Sequence, residues 1–441
     1  MDYVIRRVRI VGRHKVSEGD LLIENGRIAA IGRIGRAPGA KVISGAGLYA
    51  LPGFIDLHVH GGAGFDLTCG RFDPKQKRFD ASPSAYAEAF PGLMKHFART
   101  GVTRLMLATV AAPMRDLERA LSCMADYVAD PLNGRHGARL EGALLEGTFI
   151  RKPGQAGAQN PRNFRAPDRR LFDRLNRAAR GHIRYVNVVP EFGKAAEELT
   201  RRLAELGLLV GAGHTACDAD QVLRAARNGL RVAIHFLNGP TGSSFKPFHG
   251  GNAVEAVLRS PDIYAELICD GWHVAPAYVR DVIERKGIGR IVAVTDAMFP
   301  TGAQGIRSFT VGGNEGQLDP TGQYLQLQGS EQTLFGSVLT MSRAFGNLLS
   351  WLTREMDGVW HSRHRAWKLD EALRAAACAC ATNAARLAGM DRPAGSAPLA
   401  RGIGAIEPGR CADLVLARLK GKPGRWQIQV KHTFVEGRRV P

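Results

Sequence analysis

No apolar run in the 441-residue chain approaches the roughly 20 residues that a membrane-spanning helix needs. Cysteine is sparse: seven residues, at 69, 123, 217, 269, 378, 380 and 411, odd in number and without a C-x-x-C pair. That argues against a disulfide scaffold. The opening residues, MDYVIRRVRIV, lack the apolar core of an export leader. We therefore expect a soluble protein of a reducing, cytoplasmic compartment. Acidic residues are outnumbered, 41 against 60 Lys and Arg, leaving a net charge of +19. Such basicity can serve nucleic acid, acidic lipid or a small anionic substrate. No aromatic-interleaved RNA-binding sequence, zinc finger or basic heptad region accompanies it, so neither a nucleic-acid nor a membrane partner is expected. Arg169, Arg170, Arg174 and Arg177 recur at helical spacing and read as a solvated helix face.

What the chain does have is core. At 45 % hydrophobic it can fill a large barrel and a smaller unit beside it. The stretch PGFIDLHVHGGAGFD, residues 52–66, is the most informative. Its apolar run, 54–60, has the length of a buried strand and is bounded by Pro52-Gly53 and Gly61-Gly62. Side chains alternate on a strand, so His58 and His60 face the same way. Two neutral imidazoles at one strand end can share a cation. A pair of hydrogen-bonded core histidines is the plainer alternative.

Seven further apolar runs follow, at 102–110, 140–145, 185–189, 208–212, 232–237, 264–269 and 291–295. Between them lie stretches of helical composition that end in glycine, such as KAAEELTRRLAELG and CDADQVLRAARNG. Eight strand–helix repeats predict a (β/α)₈ barrel of the TIM type, whose active site belongs at the C-terminal ends of its strands. Those ends carry His58 and His60, Glu146, His214, His235, Asp270 and Asp296. Seven metal-competent groups at six strand ends point to one centre. The flanks are β-rich, with Asn25-Gly26 as a hairpin turn. Residues 1–51 and 396–441 are therefore expected to pair into a small β-sandwich beside a barrel at 52–395. Residues 314–329 read as an inserted hairpin.

These motifs resemble the amidohydrolase superfamily and, within it, the N-acetylglucosamine-6-phosphate deacetylases. The matching stretches are PGFIDLHVHGG, LEGTFI, GAQNP, GAGHTACD, IHFLNG, CDGWHV, VTDAM, GSVLTM and GAIEPGRCADLVL, in family order over most of the chain. The resemblance implies that Glu146, His214 and His235 ligate the main metal. His58 and His60 would hold a second ion, bridged by Glu146, so one or two divalent ions per chain are expected. Zn²⁺ suits such ligands best, and Fe²⁺, Co²⁺ and Mn²⁺ can use the same set. Asp296 would be the acid/base and His273 would bond the reacting amide or the sugar. Asn238, Gly239 and Gln159 would line the sugar pocket of a homodimer acting on an N-acetylated amino-sugar phosphate.

Three departures bear on the substrate. Thr148 stands where the family usually has Pro, and Gln159 where it usually has His. The loop after His235, TGSSFKPFHGG, lacks the family's phosphate-gripping Arg; Lys246 is its only Lys or Arg, with His249 nearby. Lysine binds phosphate as a point charge without the bidentate fork. Deacylation of another N-acyl amine, such as an unphosphorylated amino sugar or an N-acyl amino acid, stays open. A basic nucleic-acid-binding barrel with a vestigial metal site is the remaining alternative. Asp296 could also be a helix N-cap, Glu146-Gly147 a turn, and His273 a residue that only positions others.

Overall fold

The computed structural model describes residues 1–238, 251–330 and 332–441. Its centre is an eight-stranded parallel sheet in sequential order: β1 (Phe54–Val59), β2 (Val102–Ala108), β3 (Arg139–Phe149), β4 (Ile183–Val188), β5 (Leu209–Ala212), β6 (Val232–Ala233), β7 (Tyr264–Ile268) and β8 (Ile291–Val294). The last strand returns to the first, where Asp296 N–H donates to the His58 carbonyl at 2.9 Å. All eight strands fall where the apolar runs predict them. Helices alternate with them, among them Pro83–Arg99, Lys194–Glu205 and Ala219–Arg227. The last opens on a reciprocal capping box between Asp218 and Gln221. Arg169, Arg170, Arg174 and Arg177 are exposed on helix Arg169–Ala178, as expected.

Three expectations change. β6 is two residues long instead of six, because the backbone at His235 and Leu237 turns to φ of +34° and +68°. The predicted hairpin at 314–329 is there, as Asn314–Leu318 and Leu325–Leu327, but Ser308–Val311 adds a third strand. A further small sheet forms from Gly61–Gly62, Phe65–Asp66, Gly70–Asp73 and Arg78–Asp80, whose two- to four-residue strands are too short to read from periodicity.

The two ends of the chain meet in one eight-stranded sheet in which Tyr49–Pro52 pairs antiparallel with Leu414–Lys422. It has its own core, including Ile5, Leu21, Ile28, Leu414 and Phe434. A buried charge network ties it to the barrel. Arg104 on β2 is fully buried and donates to Asp413 Oδ2 at 2.6 Å, Glu141 Oε1 at 2.7 Å and Glu436 Oε1 at 3.2 Å. Among the described residues no helix is long and apolar enough to cross a membrane.

Candidate metal centre

Six of the seven strand-end groups converge. His58 and His60 at the end of β1, Glu146 in β3, His214 after β5, His235 after β6 and Asp296 after β8 are all buried together. Three of them sit in the left-handed backbone region, with φ of +56° at His214, +34° at His235 and +50° at Asp296. Side chains with a Cβ rarely adopt it, and such strain concentrates at functional sites. The kinks carry these side chains off the strand ends toward a common point. No helix begins at Asp296, and Glu146 lies inside β3, so neither is the cap or the turn that the sequence left open.

Two donor groups result. In the first, Glu146 Oε1 lies 3.2 Å from His214 Nε2 and 3.2 Å from His235 Nε2, and the two nitrogens lie 3.2 Å apart. The Nδ1 atom of His214 donates to the Gln155 carbonyl at 2.9 Å, and that of His235 to the Asn238 carbonyl at 3.2 Å. A carbonyl only accepts, so the proton of each neutral ring is on Nδ1 and each Nε2 presents a lone pair. Two lone pairs and a carboxylate oxygen thus face one another in a buried space. They repel unless a cation stands between them. A spacing of about 3.3 Å is what three ligands of a tetrahedral ion at roughly 2.0 Å require. The donor set therefore fits a divalent metal.

The second group is His58, His60 and Asp296. His60 Nε2 is 3.1 Å from Asp296 Oδ1 and 3.4 Å from Glu146 Oε2. His58 Nε2 is 3.5 Å from Asp296 Oδ1 and 3.7 Å from Glu146 Oε1, and it is buried without a hydrogen-bond partner. Its Nδ1 donates to Glu266 Oε2 at 3.3 Å. Glu146 thus stands between the groups, with Oε1 toward His214, His235 and, at 3.7 Å, His58, and Oε2 toward His60. Burial acts to lower the His58 pKa, but Glu266, Glu146 and Asp296 outweigh it and push it up to about 10. Burial acts to raise Asp296, and the hydrogen bond from His60 with the nearby His58 overcomes it, holding the carboxyl at about 2.

The supports were not foreseen. Glu266, alone among apolar residues in β7, holds His58 and accepts from the Tyr185 hydroxyl at 3.0 Å. Asp56 accepts from Thr295 Oγ1 at 2.6 Å across the β8–β1 seam. Their signal was an acid inside an otherwise apolar run. Gln159 lines the cavity and also braces Glu146, donating one amide N–H to Glu146 Oε2 at 2.8 Å and accepting from Ala111 N–H at 2.7 Å.

The cavity above the centre is about 490 Å³ and reaches His60, Glu146, His214, His235, Asn238 and Asp296. Two expected residues lie elsewhere. Asp270 is not in either donor group; its carboxylate turns back to accept from His273 Nδ1 at 2.6 Å. His273 lines a neighbouring cavity of about 660 Å³ with Leu237 and Trp360. Gly239, Lys246 and His249 fall outside the described residues.

A parallel barrel with two histidines on its first strand, a glutamate on its third and histidines after its fifth and sixth is the arrangement of the amidohydrolase superfamily. No protein-family model matches the chain. It is 30 % identical over 338 residues to N-acetylglucosamine-6-phosphate deacetylase of Vibrio furnissii, covering 76 % of this chain and 77 % of that one. It is 30 % identical over 421 residues to N-acetylgalactosamine-6-phosphate deacetylase of Escherichia coli, covering 94 % and 95 %. The crystal structure of N-acetyl-D-glucosamine-6-phosphate deacetylase from Mycobacterium smegmatis superposes with a TM-score of 0.78 at 24 % identity, covering 100 % of both chains. The chain belongs to the N-acetylglucosamine-6-phosphate deacetylase family, hydrolases of amide C–N bonds.

Proposed function

We propose that this protein removes the acetyl group from an N-acetylhexosamine 6-phosphate, with N-acetyl-D-glucosamine 6-phosphate as first candidate. The product pair is then acetate and the amino-sugar phosphate. The observation that carries the reading is the triad of facing acceptors, Glu146, His214 and His235, at 3.2 Å spacing under a cavity that also holds Asp296.

In this reading Glu146, His214 and His235 hold the main divalent ion, and His58 with His60 holds a second. A bound ion supplies Lewis acidity, polarising the acetyl carbonyl and lowering the pKa of water toward ~7. Asp296, ionised throughout the neutral range, takes the proton of the attacking water on its carboxylate and returns it to the leaving nitrogen. Glu266 and the carbonyls of Gln155 and Asn238 keep the imidazole protons on Nδ1. Gln159 fixes the Glu146 carboxylate through one amide N–H and keeps its second N–H for the sugar. With its Nδ1–H given to Asp270, a neutral His273 presents an acceptor at Nε2, an atom buried without a partner among the described residues. That suits a sugar hydroxyl; an oxyanion would need His273 doubly protonated. Lys246 is the phosphate contact, and Asn238 and Gly239 complete the sugar pocket.

Deacylation of an unphosphorylated N-acyl amine is the second reading. The missing Arg in TGSSFKPFHGG favours it. The test is acetate release from N-acetylglucosamine 6-phosphate, N-acetylgalactosamine 6-phosphate and N-acetylglucosamine. The proposal expects the highest kcat/KM for a 6-phosphate, and a raised KM with kcat nearly unchanged in Lys246→Ala, as for lost uniform binding. A higher kcat/KM for the unphosphorylated sugar, with Lys246→Ala indifferent, overturns it.

A further inference from the structure

We propose that Asp281, His361 and His364 form a further divalent-metal site, separate from the catalytic centre, that pins the 353–368 loop to helix Pro276–Lys286. Asp281 sits in the middle of that helix and is fully buried. Its Oδ2 is already used, accepting from the Val359 and Trp360 amides at 2.7 Å each. Its Oδ1 faces two imidazoles, with His364 Nε2 at 2.7 Å and His361 Nδ1 at 3.5 Å. The three donor atoms lie within 4.8 Å of one another.

Ordinary hydrogen bonding accounts for only half of this. His364 can donate to Asp281, but His361 Nδ1 is a buried atom with no hydrogen-bond partner among the described residues. A polar nitrogen left so is costly. One ion shared by the three atoms satisfies both rings and the carboxylate oxygen once the Asp281–His364 pair opens from 2.7 Å toward the ~3.3 Å spacing of a tetrahedral site. The loop approaches closely enough to make that contact. A Cβ on Gly358 would lie 2.5 Å from Asp281 Oδ1 and 2.9 Å from His364 Nε2. The His361 side chain is 37 % exposed, which gives an ion a path in and a water the fourth position. Two imidazoles and a carboxylate are a zinc-type donor set, presented from the sequence as H-x-x-H. None of the three lines the catalytic cavity.

The loop so fixed carries Trp360. Its ring packs edge-on against Tyr278 at 5.2 Å and lies under the Arg285 guanidinium, 5.2 Å from the ring centroid. Trp360 and His273 are walls of the same 660 Å³ cavity. The ion would therefore set one wall of the space next to the active site.

The test counts zinc per chain after equilibration with micromolar zinc and gel filtration. A His58→Asn/His214→Ala variant, lacking one ligand from each catalytic group, should keep one zinc, and adding His361→Ala should remove it. In the otherwise wild-type chain, His361→Ala should lower the count by one. His361 donates no hydrogen bond to the fold, so folding is preserved. A catalytic-ligand variant that holds no zinc, an unchanged count on His361→Ala, or zinc bound only at millimolar concentration overturns the site. These outcomes are independent of which substrate the enzyme takes.

Discussion

The Nε2 atoms of His214 and His235 face each other at 3.2 Å, each with its proton committed to a backbone carbonyl on the far side of the ring. Neither ring can hydrogen-bond the other, nor Glu146 between them. An ion among the three is the arrangement's physical resolution. His214→Ala should therefore lose the main metal and all but a trace of acetate release. Metal analysis of the purified variant checks it, and full occupancy contradicts it.

Asp296→Asn keeps the shape of the side chain and removes the proton acceptor. Metal should stay bound through Glu146, His214 and His235, while kcat falls by roughly 10²–10⁴, the usual worth of general acid–base catalysis. Steady-state kinetics with a parallel metal assay separates the two effects. A near-normal kcat would assign the proton to another group.

The metal-free protein should be less stable at high pH. His58 has its folded pKa pushed up to about 10, against roughly 6.5 in an unfolded chain. Its protonated form contributes stability in full below ~6.5, and that contribution is lost as pH climbs through 10. Asp56, pushed up to about 7 by burial, has the same sign over a lower window, from ~4 to 7. Zinc displaces the His58 proton, so the gain in Tm on adding zinc should grow between pH 7 and 10. Thermal melts with chelator and with zinc give both slopes. A chelated protein whose Tm is flat from pH 7 to 10 is the contrary result.

Arg104→Met should leave Asp413 buried without its cation and Glu141 with only the more distant Arg401 and Arg139, at 3.5 and 3.8 Å. Breaking a buried ion network in this way costs about 3–5 kcal/mol. The urea midpoint should fall well below that of wild type. An unchanged midpoint would mean that the network contributes nothing to holding the terminal sheet on the barrel.

The architecture was legible because each strand is an apolar run of the right length, and because His58 and His60 could share a strand face only at i, i+2. Five of the expected ligands and Asp296 met where the strand ends predicted. What the sequence hid was direction. Asp270 and Asp296 both follow an apolar strand, yet one turns back onto His273 while the other, kinked at φ +50°, enters the centre. Gln159 reads as a sugar contact by its motif, and only its two hydrogen bonds show that it serves Glu146. Glu266 passed unmarked as one polar residue in a buried strand. His361 and His364 have no strand end to announce them; their partner Asp281 is about 80 residues away, and only packing of the loop on its helix joins them.

The most direct measurement is acetate release from N-acetylglucosamine 6-phosphate by metal-stripped protein as zinc is returned, in wild type and in His214→Ala. Turnover should be absent in the stripped wild type, return as zinc is added, and stay absent in His214→Ala. Acetate release at full rate by the stripped wild type, or a return of wild-type rate in His214→Ala with zinc, would contradict that dependence on the metal.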